Sequence, residues 1–276
     1  MAFQFQSSNP VLNNTDAFDA VHRTPTADHA PATMTLSGVV NRTGLVVLIT
    51  IHAAGAGYWA LANIGGPVLW ISAIAGALVS IGFAFVLMGN PGLAKVLGPI
   101  YAVVEGAFLG AFTCLVDNIL LSRGIEIPGG VGLPAMIITA SCLMSMLLLY
   151  QAGIIRPTRR FKAVLFTLAG AVMLSYLAAF VLGFFGVQVP FVSIGAIAEE
   201  QGTMALIGIG INVVILIVAS LFLVIDFGMI EEMVESGAPK TYEWFGAYAL
   251  LVSLAWIYFE AVKLVMRLAL LFSNRE

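Results

Sequence analysis

Charge is what this sequence has least of. Only 10% of its 276 residues are Asp, Glu, Lys or Arg, against about 25% in a soluble domain. So few charges cannot cover a water-facing surface, and lipid is the expected solvent. The net charge of −3 is small and no basic stripe with interleaved aromatics is present, which sets aside a nucleic-acid partner. Cysteine is nearly absent. Cys114 and Cys142 both fall in apolar stretches, which argues against a disulfide framework or a metal-ligand spacing. They read as small buried hydrophobes. His22, His29 and His52 are too scattered to bind zinc together. The chain has no HExxH, no GxSxG, no phosphate-binding loop and no Ser/His/Asp set, so neither an enzyme nor a bound cofactor is expected. Asp117 and Asp226 are a poor basis for an intramembrane aspartyl protease, because Asp117 falls near the end of its apolar block.

What the sequence has in quantity is uninterrupted apolar residues. Blocks of twenty or more match the length needed to cross a hydrocarbon core of about 30 Å. Their continuity predicts helices, since barrel strands alternate apolar and polar residues. Seven spans are predicted, at 44–62, 68–88, 96–121, 133–155, 161–187, 204–230 and 244–272. Breaks rich in Gly and Pro separate most of them, such as Asn63-Ile64-Gly65-Gly66-Pro67, Gly89-Asn90-Pro91-Gly92 and Gly237-Ala238-Pro239. The fold class expected is an all-α integral membrane protein, a seven-helix bundle over residues 41–276. Residues 1–40 are polar and carry no basic start followed by an apolar run. They read as a disordered tail rather than a secretory signal.

Basic residues set the expected orientation. The tail and the second, fourth and sixth loops hold Arg23, Arg42, Lys95, Arg156, Arg159, Arg160, Lys162 and Lys240. The other side holds Arg123, Lys263, Arg267 and Arg275. Eight against four predicts a cytoplasmic N-terminus and an external C-terminus.

The informative residues are charges within the apolar blocks, each costing about 2.5–3.5 kcal/mol at mid-bilayer on insertion scales. Glu105 lies in Tyr101-Ala-Val-Val-Glu-Gly-Ala-Phe-Leu-Gly110. Gly106 and Gly110 there form a small-xxx-small pair that lets a neighbouring helix approach closely. Glu105 is either a protonated glutamate bonded between helices or an ion ligand. Asp226 stands five residues before Glu231 and Glu232, near the cytoplasmic interface. It either reaches interfacial water or serves a pathway. Glu260, Lys263 and Arg267, spaced i, i+3 and i+7, share one face of the last span. They form either a self-neutralising pair or a charged stripe on a polar cavity. His52 and Asn212 are lesser polar candidates, expected to bond neighbouring helices.

Ile225-Asp226-Phe227, followed by Trp256-Ile-Tyr-Phe-Glu260-Ala-Val-Lys-Leu, resembles the last two spans of the Bax inhibitor-1 family. Ser8-Asn9-Pro10, Met34-Thr-Leu-Ser-Gly-Val-Val-Asn-Arg-Thr-Gly44, Tyr101–Gly110 and Gly237-Ala-Pro-Lys240-Thr-Tyr-Glu-Trp244 look like a bacterial branch of it. The resemblance implies a bacterial cytoplasmic membrane, a last helix at the centre of six others, and a pH-sensitive calcium leak. It further implies that carboxylates at Asp226 and Glu260 pair as the gate and meet calcium, which would be the permeant species. Counting from the Gly237–Lys240 turn, a plain hairpin leaves these two about 15 Å apart along the axis. Tilt must then bring them together, or Asp226 and Glu105 are the working pair. The rival expectation is a non-conducting regulatory protein that binds a membrane protease or stress-response partner through its cytoplasmic loops.

Overall fold

In hydrocarbon a backbone amide finds no water, so a chain of this composition must close its hydrogen bonds within helices. The computed structural model, which describes residues 33–62 and 67–273, does so. Seven apolar helices follow one another: α1 (Leu36–Ala62), α2 (Pro67–Gly89), α3 (Ala94–Leu121), α4 (Gly132–Gln151), α5 (Arg159–Gly183), α7 (Gly202–Glu235) and α8 (Tyr242–Ser273). A short helix, α6 (Ile194–Glu199), sits in the loop before α7. Six of the seven are long and apolar enough to cross a membrane, and α2 adds a shorter apolar stretch, Ile74–Gly89. The protein is an all-α, multi-pass integral membrane bundle.

The last helix is its axis. α8 packs against α1, α3, α4, α6 and α7, while α2 leans on α3 and α5 on α7. Residues on every side of α8 are buried, from Glu243 and Trp244 through Ile257 to Leu270. The short α6 turns inward, and its Ile197 and Ala198 join Phe112, Val116, Ala261 and Met266 in one apolar cluster.

Four boundaries differ from the sequence expectation by four residues or more, α4 stopping at Gln151 instead of Ile155 and α7 running on to Glu235 instead of Ile230, with two more at α1 and α5. α1 begins at Leu36 instead of Gly44, so Arg42, counted with the tail in the sequence, lies inside the helix with its charge satisfied. The Arg42 guanidinium lies 4.5 Å from the Trp244 ring centre and 3.6 Å from the Glu243 carboxylate. Glu243 also accepts from the Thr35 backbone N–H at 3.3 Å and from its hydroxyl at 3.1 Å. Just before α1, Met34 N–H donates to the Ala238 carbonyl at 2.8 Å, and Thr33 pairs with Pro239. α5 stops at Gly183, and Gly186 takes φ 75° in the turn after it. The stretch expected as a tail up to residue 32, with His22, Arg23, His29 and Ser8–Pro10, lies outside the described residues. So do the turn at 63–66 and Arg275.

Gly106 and Gly110 do what their spacing suggests, and the neighbour is α1. A Cβ on Gly106 would run into the Thr50 carbonyl, and one on Gly110 into the Ala54 carbonyl. The Thr50 hydroxyl bridges the same interface to the Ala102 carbonyl at 3.2 Å. Backbone cannot swing aside as a flexible side chain can, so a methyl here must part the helices. Gly106→Ala is expected to cost about 1–3 kcal/mol, as overpacking does. Gly82→Ala, with nothing within 4 Å, should cost nothing. Equilibrium unfolding in mixed micelles measures both, and equal effects would contradict the close α1–α3 approach.

Candidate functional site

Ser253, Glu260, Lys263 and Arg267 fall within an arc of about 80° on α8, at 3.6 residues per turn. Asn212 and Asp226, fourteen positions apart on α7, are about 40° apart on the same helical count. These two faces meet, so the α7–α8 interface carries a line of polar groups through an otherwise apolar bundle.

Its central station is built around Glu260, which is fully buried. The Lys263 ammonium stands 2.8 Å from Glu260 Oε2, one helical turn on. Asn212 Nδ2 donates to the same oxygen at 2.9 Å and approaches the Glu260 carbonyl at 3.3 Å. Tyr176, from α5, donates its hydroxyl to Glu260 Oε1. That hydroxyl in turn accepts from Lys263 Nζ at 2.6 Å. Lys263 also lies over the Tyr176 and Phe259 rings, at 4.5 and 4.9 Å. One carboxylate thereby ties together three helices, α5, α7 and α8.

One turn beyond lies Arg267, 3% exposed. It donates to Glu200 Oε2 through Nη1 and to the Phe191 carbonyl through Nη2, the latter at 2.8 Å. Glu200 Oε1 accepts from the Phe191 N–H at 3.2 Å. The loop before α7 is thus folded over the end of the charged line. Phe191 takes φ 63°, a left-handed conformation that costs a non-glycine residue about 1–2 kcal/mol. The two hydrogen bonds on its peptide groups hold it there. Gly208 leaves the space that Arg267 and Glu200 occupy. Burial pushes the Glu200 carboxyl above its ordinary range, and the Arg267 guanidinium pulls against that. Glu260 with Lys263 and Glu200 with Arg267 make two oppositely charged pairs, so the station is neutral overall.

Asp226 is elsewhere on the line. It is buried, and Ser253 Oγ donates to its Oδ2 at 2.5 Å. Ser253 precedes Glu260 by seven residues, about 10 Å of helix. Asp226 and Glu260 therefore do not share a proton or a ligand here. Leu216, Ala219, Leu223, Leu254 and Ile257 fill the interval as one buried apolar cluster. Glu105 is on neither station. It lies in α3 among Tyr101, Ser80 of α2 and Tyr248 of α8, and its Oε2 has no hydrogen-bond partner. His52 is exposed and bonds the Leu48 carbonyl of its own helix at 2.8 Å. No group of three or more His, Cys, Asp or Glu gathers into a metal site among the described residues.

Sequence spacing had placed Glu260, Lys263 and Arg267 on one face. It offered no signal for Glu200, which reads as a loop acid, or for Tyr176, one hydroxyl in an apolar span. Both are joined to the site only by tertiary contact.

Removing one member of a buried pair strands the other, typically at about 3–5 kcal/mol. Glu200→Gln and Arg267→Leu are each expected to lose stability in that range. The double variant should lose clearly less than their sum. Additive losses in a double-mutant cycle, read by unfolding in bicelles, would mean the pair contributes no coupling.

A family model described as Bax inhibitor 1 like matches residues 9–270. Comparison with curated proteins and with solved structures finds no match. A single family model thus runs from before α1 nearly to the end of α8, across both polar stations, and the chain belongs to the Bax inhibitor 1 like family.

Proposed function

We propose that this membrane protein is a cation leak pathway with calcium as its permeant ion, and that the arrangement described is its closed form. The observation that carries the reading is the α7–α8 seam. It holds two carboxylate stations in the bundle interior, separated by an apolar plug. Carboxylate and hydroxyl oxygens suit a hard cation such as calcium. Asp226 with Ser253 offers them on one side of the plug. Glu260 offers them on the other once Lys263 releases it. A charged line wholly inside the bundle is costly to maintain and persists mainly where it serves transport or relay.

The gate differs from a pair of carboxylates sharing one proton. Leu223 and Ile257 block the seam, and the Lys263 ammonium occupies the place of a cation on Glu260. The pH sensitivity we propose is a property of the seam and does not need a shared proton. We place Asp226 toward the cytoplasm, because Arg156, Arg159, Arg160, Lys162 and Lys240 lie at that end of the bundle. The membrane we assign is the bacterial cytoplasmic membrane.

Calcium entry into proteoliposomes loaded with an indicator tests this. Leu223→Ala is expected to raise the leak severalfold by opening the plug. Asp226→Asn and Glu260→Gln should each lower the flux and flatten its dependence on pH. Vesicles that stay calcium-tight with the wild-type chain and with Leu223→Ala would sink the proposal. A non-conducting chain that instead retains a protein partner, lost when the exposed Glu231, Glu232 and Glu235 are neutralised, would favour the regulatory reading.

A further inference from the structure

A second feature lies away from the polar seam. A cavity of about 780 Å³ runs between α1 and α4, with α3 and α8 as its floor. That volume falls in the range of about 300–1,000 Å³ usual for small-molecule pockets. Its walls are apolar along most of their length, and exposed Ile51, Leu133 and Met136 border it. These residues lie on lipid-facing helix surfaces, so the cavity opens sideways into the bilayer. On α1 it reaches from Val47 to Tyr58, about 17 Å at 1.5 Å per residue. One leaflet of the hydrocarbon core is about 15 Å deep.

The deep end of the cavity is apolar and the other end is acidic. At its mouth, near the last turns of α1 and α3, the Tyr58 hydroxyl donates to Asp117 Oδ2 at 2.9 Å. Val131 N–H, at the start of α4, donates to Asp117 Oδ1 at 2.9 Å. A carboxylate has about four acceptor positions, so each oxygen keeps one for a further donor. Asp117 and Tyr58 also line a second, polar space of about 250 Å³ that holds Glu126. Neither space is lined by a Lys, Arg or His.

We infer that this cavity binds a single-chain amphiphile with a primary ammonium head, drawn from the bilayer. The alkyl chain lies along α1 and α4 for one leaflet's depth. The ammonium sits at Asp117 with Glu126 beside it. The acid-only mouth disfavours a fatty acid, whose carboxylate would face Asp117 directly. A phospholipid head group would bring its phosphate to the same acids. This site shares neither Asp226 nor Glu260 with the α7–α8 seam, and of the plug residues named above Leu254 alone also lines it.

The test uses the full chain in phosphatidylcholine nanodiscs and a long-chain alkyl amine carrying a diazirine near its tail. Photolabelling should map to α1 and α4 around Val47 and Leu143, at the apolar end of the cavity. Unlabelled alkyl amine should compete at least tenfold better than the fatty acid or fatty alcohol of equal length. Gly55 lines the cavity and has nothing within 4 Å of a Cβ position. Gly55→Leu, whose Cβ meets nothing, should project into the space and cut that labelling at least tenfold at unchanged thermal stability. Ala140→Leu fills it from α4 and replaces Gly55→Leu should that variant fail to fold. Asp117→Asn should bring the amine down to the alcohol's level. Labelling spread evenly over lipid-facing helices overturns the inference. So does equal competition by the acid, or labelling unmoved by the filling variants. A two-chain phospholipid retained in the cavity after purification also overturns it.

Discussion

Glu260 cannot be neutral toward its surroundings at the depth where it sits. A carboxylate in the bundle interior needs donors, and each donor it takes fixes the helix that supplies it. Asn212 fixes the register of α7 and Tyr176 that of α5, while Lys263 closes the set from the same helix. Apolar packing could not do this alone. Lipid chains are as apolar as leucine, so burial of a leucine scarcely distinguishes helix from bilayer. The polar contacts decide which face of α8 looks inward, and the central place of that helix follows.

The other half of the bundle is held by the opposite device. α1 and α3 meet through absent side chains, at Gly106 and Gly110, with backbone against backbone. Dispersion at such short range replaces the directional bonds of the α5–α7–α8 side. The cavity between α1 and α4 lies where neither device operates. No small-residue seam draws those two helices together and no buried pair spans them, so each rests on α8 and a gap remains.

The spans were legible because twenty apolar residues in a row have few other uses, and their edges were marked by Gly and Pro. The early start of α1 was not legible, since nothing local shows that Glu243 and Trp244 await Arg42 two hundred residues later. α6 was missed because six residues without a capping side chain give no periodic signal. The charged stripe on α8 was legible from its i, i+3, i+7 spacing alone. Its partners were not, since Tyr176 and Glu200 reach it across 84 and 67 residues. Hairpin counting already set Asp226 and Glu260 at different depths. The structure keeps them apart, with Ser253 giving Asp226 a partner of its own.

The short stretch at 33–35 has a mechanical meaning. It is stitched to the α7–α8 turn by a backbone hydrogen bond and a bridge, and to the first turn of α8 through Glu243. The bundle's entry point and the foot of its axle are therefore one joint. A pull, a cut or a bound weight on the chain ahead of residue 33 is delivered straight to the helix that carries Glu260, Lys263 and Arg267.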